Sequence, residues 1–261
     1  MNKVFAAILV FLNAHIIFAQ SPYKEYSSID NVILGGSALL GATTLYLEHR
    51  MAPLTPEQAG LLDGNSINRF DRRATLNLSE RSAILSDYGM LAALVAPLGL
   101  LADSKIRDEP EKLGYLYLET MAITGVLTEL TKVTVQRVRP WAYNKNVPLE
   151  HKNGTEAKKA FFSGHTSATF AGAVLCAKVY SDYNPDSKLK PYVWAGSMAL
   201  SSAVAYWRVR AGRHFPTDVL VGALVGGGVA YLIPEIHKTD KAGPGPGSVS
   251  QPMMIHLNFA F

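Results

Sequence analysis

The sequence predicts an all-α protein, a bundle of six helices with a short strand-like tail at the C-terminus. Three observations carry that expectation. Six apolar runs of helical length lie between polar connections, and their Ala, Leu, Gly and Met content suits helices better than strands. Alternation of apolar and polar residues, the signature of a strand, is confined to the last few positions. Hydrophobic residues make up 48% of the chain and charged residues 18%, which excludes intrinsic disorder and supplies a large core.

Taken in order, residues 1–19 read as a secretory leader. Lys3 supplies a positive start, residues 4–12 an apolar run, and Ala19 a small residue before a cut at Gln20. Asn13 and His15 interrupt the run and leave it short for a membrane span. A helical extension over 20–81 follows. It holds the first long helix, 32–47, and an amphipathic stretch, 65–81, whose Arg69, Arg72, Arg73 and Arg81 form a solvated or membrane-surface face. The second long helix covers 83–102, kinked at Pro97, and the third 113–135. Residues 166–180 and 192–207 give the fourth and fifth, and Pro234 closes the sixth, 219–233. Residues 82–238 therefore form the main domain. In 239–261 a linker rich in Gly, Pro and Ser precedes Ile255, Leu257, Phe259 and Phe261, which alternate with His256, Asn258 and Ala260. That ending is also the pattern of the last strand of an outer-membrane barrel. One strand cannot close a barrel, so a docked strand or a loose tail is expected.

A net charge of +4 without a concentrated basic stripe argues against a nucleic-acid partner. The single cysteine, Cys176, excludes an internal disulfide framework and a Cys-based zinc site, and in its apolar stretch it reads as a buried, inert thiol. Mean hydropathy of +0.10 is high for a soluble enzyme and low for a mostly transmembrane chain. Asp87, Glu119, Glu129 and Lys132 lie in or beside the apolar runs, where membrane depth would make them costly. If the leader is cleaved and all six helices span, the end of the third helix faces the cytoplasm. An outward-facing site there requires that an odd number of the first three fail to span, or that none of the six spans.

Three clusters carry chemistry. Lys132 is followed, after six residues, by Arg139-Pro140. Residues Phe162, Ser163, Gly164, His165 and Thr166 form the second, and Arg208, His214 and Asp218 the third. Each falls at an expected helix end, and an up-and-down bundle brings all three to one end. Three cations aimed at one hollow (Lys132, Arg139 and Arg208) repel one another unless a multiply charged anion sits between them. Arginine offers a planar fork for phosphate oxygens, and lysine a point charge. The start of the fourth helix adds free backbone N–H groups, Gly164 permits close approach, and Ser163 adds a hydroxyl. The pattern is built for a tetrahedral oxyanion.

Two histidines then divide the labour. Asp218, four residues beyond His214, can reach back to one imidazole nitrogen and leave the other free to attack phosphorus. His165, at the mouth of the cradle, can protonate the leaving oxygen and later activate water. No metal is required, because carboxylates near the cations are too few to hold one. The other histidines of the processed chain, His49, His151, His237 and His256, read as surface residues.

These clusters resemble the signature of the type 2 phosphatidic acid phosphatase and vanadium haloperoxidase superfamily, over about residues 82–234 and in the same helix order. The resemblance implies a phosphohistidine on His214, oriented by Asp218, with His165 as general acid. It implies that Lys132, Arg139, Ser163, Gly164 and Arg208 bind the phosphoryl group, with no cofactor. Two positions depart from the family pattern: Phe162 stands where Pro is usual and Trp207 where Ser is usual. Phe162 is expected to relax the turn or to offer an apolar wall to a lipid.

The expected activity is that of a cell-envelope phosphatase cleaving a phosphomonoester or pyrophosphate. The apolar helices favour a lipid such as phosphatidic acid, phosphatidylglycerol phosphate or a polyprenyl diphosphate. Its rivals are a soluble periplasmic acid phosphatase of broad specificity, vanadate-dependent halide oxidation in the same cage, and a non-catalytic lipid-binding role. Partners are then a phosphorylated lipid or small phosphoester and a membrane, and no feature sets an oligomeric state. Export places the chain in the periplasm or on the periplasmic face of the inner membrane, with the outer membrane as the alternative that the tail adds.

Overall fold

Each long helix begins on a local signal that the sequence carries. The computed structural model describes residues 21–239, and among them every regular element is helical. In α1 (Ser28–His49), the Asp30 carboxylate accepts the Ser27 hydroxyl at 2.8 Å and its backbone N–H at 2.7 Å. The Ser79 hydroxyl accepts the Ser82 N–H to start α2 (Glu80–Val95), which tightens into a 3-10 segment over Ala96–Ala102 where Pro97 sits. Proline opens both α3 (Pro110–Val135) and α6 (Pro216–Ile236), where its missing N–H costs nothing. Ser163 caps α4 (Gly164–Tyr183), and α5 (Lys190–Arg210) follows. α3 stops at Gln136, which takes the left-handed conformation with φ 49°.

α4 is the central rod, packed against α2, α3, α5 and α6, while α1 lies along α3. The α4–α6 contact is close because residue 226 is glycine: a Cβ there would come within 2.0 Å of the Ser167 carbonyl oxygen. Leu116, Leu175, Val179, Ile106 and Ala230 are buried at the centre, with Cys176 partly buried against them. A smaller cluster of Leu54, Ala59, Ala142 and Ala157 anchors the long α3–α4 connection. Antiparallel bridges Tyr23–Lys238 and Leu54–Gly154 tie the extension to the main domain.

Four expectations need correction. Helix is more abundant than six runs, because short α and 3-10 segments fill the connections. The stretch 65–81 is not one amphipathic helix. Asn68 starts a new turn at Arg69–Arg72, a 3-10 segment follows, and Asn77 donates its side-chain amide to the Val209 carbonyl. Pro234 does not close α6, which runs to Ile236, since a proline one turn from the end removes a single hydrogen bond. His237 is not a surface residue but 2% exposed, whereas His49 and His151 are exposed. The leader (1–19), the strand-like tail and His256 lie outside the described residues.

Candidate active site

The ends of α3 and α5, the starts of α4 and α6, and the α3–α4 connection enclose a cavity of about 380 Å³. Five cations line it: Lys132, Arg139, Lys159, Arg208 and Arg213. His165, His214 and Gly164 share its wall. Gly164 lets the Lys132 ammonium nitrogen lie close to the start of α4: a Cβ would stand 2.9 Å from it and push the flexible lysine aside.

His214 is 2% exposed. Its Nδ1 lies 2.7 Å from the Ala160 carbonyl oxygen, so that nitrogen carries the proton and Nε2 keeps its lone pair. Nε2 is 3.5 Å from Arg139 Nη1. Burial, then Arg139 and Arg208, hold the imidazole pKa well below its ordinary value, which leaves the ring neutral. The expected Asp218–His214 hydrogen bond is absent, with Oδ2 3.8 Å from Nδ1. Both Asp218 oxygens are engaged elsewhere, Oδ2 by the Phe215 N–H at 2.7 Å and Oδ1 by Arg137 at 2.5 Å. Arg137 also pairs at 2.8 Å with buried Asp71, which accepts the Thr217 N–H and hydroxyl. Asp218 thus positions the first turn of α6, and the orienting bond to His214 comes from a backbone carbonyl.

His165 Nε2 lies 2.7 Å from Asp87 Oδ1. Burial and the nearby Arg208 guanidinium push its pKa down to about 4, against the opposing pull of Asp87. Three of the five cations lean on an accessible carboxylate: Lys132 on Glu129 at 2.6 Å, Arg139 on Glu156 at 3.2 Å, and Arg208 toward Asp87 at 3.6 Å. Arg208 also donates to Ser86 at 3.1 Å, but its Nε and the Trp141 Nε1 are buried donors without partners. Burial, then repulsion from Arg139, depress the Arg208 pKa. A surplus of buried positive charge with unpaired donors calls for an anion.

The cavity therefore gathers Lys132, Arg139, Gly164, His165, Arg208 and His214. Ser163 and Asp218 stand behind this wall, both with 0% exposure. The Ser163 hydroxyl accepts the Thr166 N–H and hydroxyl at the start of α4. Phe162, expected as a possible lipid wall, is 3% exposed and faces the interior. Sequence reasoning did not assign Lys159, Arg213 or Asp87 to the site. Arg213 adjoins His214 and Lys159 lies four positions before Ser163, so proximity to the motifs could have found them. Asp87 is 78 positions from His165, with no local spacing to betray it.

Residues 113–242 match the family model described as the PAP2 superfamily. An undecaprenyl-diphosphatase of Sulfolobus acidocaldarius is 27% identical over 171 residues, covering 65% of this chain and 75% of that protein. Among solved structures, the first transmembrane PAP2 type phosphatidylglycerolphosphate phosphatase from Bacillus subtilis superposes with a TM-score of 0.49 at 21% identity, covering 77% of this chain and 94% of that one. Aquifex aeolicus LpxE gives 0.43 at 24% identity, over 59% and 83%.

Proposed function

The chain belongs to the PAP2 superfamily and is a phosphatase, and from that premise we propose that it dephosphorylates a lipid through a phosphohistidine at His214, without a metal. The observation that carries this reading is the state of His214: a neutral imidazole whose unprotonated Nε2 faces the cavity and meets only a long 3.5 Å contact from Arg139 Nη1, in a cavity ringed by cations. The phosphoryl oxygens take the places now held by Glu129, Glu156 and Asp87, and bridge Lys132, Arg139 and Arg208. His214 Nε2 attacks phosphorus, the bond to the leaving oxygen breaks, and His165 gives that oxygen its proton. Water then attacks the phosphohistidine, losing its proton to His165, and inorganic phosphate leaves. The three nearby carboxylates each face a cation, which supports a mechanism with no metal at this cavity.

A lipid substrate is supported by the apolar outer face. Val32 on α1, Leu91 on α2 and Leu224 on α6 are 71%, 56% and 75% exposed, among many others. Among the described residues, two helical stretches, Glu80–Ala102 and Pro216–Ile236, are long and apolar enough to cross a membrane. The relative named undecaprenyl-diphosphatase adds a polyprenyl diphosphate to the candidates. The reading places the enzyme at an envelope membrane, periplasmic side, with the substrate entering from the lipid.

The test is phosphate release by wild type and His214→Ala on phosphatidic acid, phosphatidylglycerol phosphate, a polyprenyl diphosphate and an aryl phosphate. Release from a lipid, lost in the variant, is the expected result. Equal rates for wild type and variant overturn the nucleophile. Hydrolysis of the aryl phosphate alone, recovered in a detergent-free supernatant, overturns the lipid assignment.

A further inference from the structure

α1, α3 and α6 share a second buried polar cluster at the end of the bundle away from the cavity. Glu119 lies thirteen positions before Lys132 on α3, about 20 Å along the axis. There His237 Nε2 stands 3.0 Å from Asp30 Oδ1 and 3.5 Å from Glu119 Oε2. The three ligand-type atoms lie within 4.8 Å of one another. The Asp30 and Glu119 side chains are 0% exposed, and neither Glu119 oxygen has a hydrogen-bond partner. His237 Nδ1 lies 2.8 Å from the Ile233 carbonyl oxygen and donates to it, which leaves Nε2 facing both carboxylates. Asp30 Oδ2 is taken by Ser27, which leaves Oδ1 facing the centre. Three electron-rich groups buried face to face need a positive centre among them.

We propose that this cluster binds one divalent ion of the zinc class, held by His237 Nε2, Asp30 Oδ1 and the Glu119 carboxylate. Ligands at about 2.0–2.1 Å in a tetrahedron stand about 3.3–3.4 Å apart, and the observed 3.0 and 3.5 Å bracket that edge. The outer bonds fit as well: a metal-bound histidine donates its other N–H to a carbonyl, and a ligating carboxylate is itself hydrogen-bonded, as Ile233 and Ser27 provide. Such an ion ties the extension, through α1, to α3 and α6, and does so independently of the catalytic cavity. The competing positive centre is a proton shared among His237 Nε2, Asp30 and Glu119.

The test uses the untagged full-length chain in detergent, stripped with EDTA and then given Zn²⁺. Elemental analysis should find one ion per chain, and Tm should rise with Zn²⁺. Glu119→Gln and His237→Gln should each weaken binding by about 100-fold or more. Co²⁺ in the wild type should show the visible band of a low-coordinate site, lost in His237→Gln. That wild-type spectrum decides the matter even if a variant fails to fold. A folded wild type that takes up no stoichiometric ion, with an unchanged Tm and no Co²⁺ band, overturns the proposal in favour of the shared proton. Binding that survives both variants overturns it too. EDTA-stripped wild type should still release phosphate below its lowered Tm, which keeps this outcome separate from a failure of the His214 mechanism.

Discussion

The two ends of α3 and α6 bury charge in opposite ways. At the cavity, cations are in surplus, and the carboxylates they lean on are accessible, with Glu129, Glu156 and Asp87 side chains 44%, 68% and 60% exposed. At the far end, Asp30 and Glu119 are wholly buried and meet only His237 among the ion pairs they form in the described residues. Exposed carboxylates can swing into solvent and yield their places to a substrate's phosphate, which keeps the buried cations paired. Enclosed ones cannot be exchanged without opening the bundle. Accessibility of the partner, more than the number of charges, separates a site that turns over from one that holds the fold.

That contrast can be broken in order of expected effect. His214→Ala should lower kcat/KM by about 10⁴-fold or more while leaving Tm near that of the wild type. Survival of activity would place the nucleophile elsewhere in the cage. Arg137→Met should act on stability instead. It strands Asp71 and Asp218, both 0% exposed, and should cost about 3 kcal/mol in an unfolding titration. Arg208→Lys keeps the charge but loses the fork, and should reduce kcat/KM by about 10²-fold in steady-state assays.

Asp87→Asn should have the smallest effect, read best as a pH shift. His165 must be protonated to act as the acid, and Asp87 raises its pKa against burial and Arg208. Removing that carboxylate lowers the pKa further, so the alkaline limb of kcat/KM should move to lower pH, with a loss of about 10-fold at neutral pH. A bound phosphoryl dianion works the other way and raises the His165 pKa. In the wild type the alkaline limb of kcat should therefore lie above that of kcat/KM. Coincident limbs would show that His165 is not the acid.

The long helices and the cation cage were legible because their signals are local: an apolar period, a capping serine, or a basic residue and a histidine a few positions apart. What stayed hidden depends on contacts across the chain. Asp87 meets His165 from 78 positions away, and His237 meets Asp30 from 207. Spacing alone suggested that Asp218 would orient His214, yet the competing donors Arg137 and the Phe215 N–H take its oxygens first. The stretch 65–81 reads as amphipathic, with Arg69, Arg72, Arg73 and Arg81 on a solvated or membrane-surface face. Asn68 and Asn77 redirect the backbone through side-chain hydrogen bonds that such a pattern does not record.

Wild type and His165→Ala, mixed with phosphorylated lipid, quenched in alkaline detergent and mapped by mass spectrometry without acid, offer the most direct test of catalysis at the cationic end. Phosphate should appear on the imidazole of His214, acid-labile and absent from His214→Ala. Phosphate on any other residue, or turnover with none on the protein in rapid-quench samples, would contradict a covalent histidine mechanism.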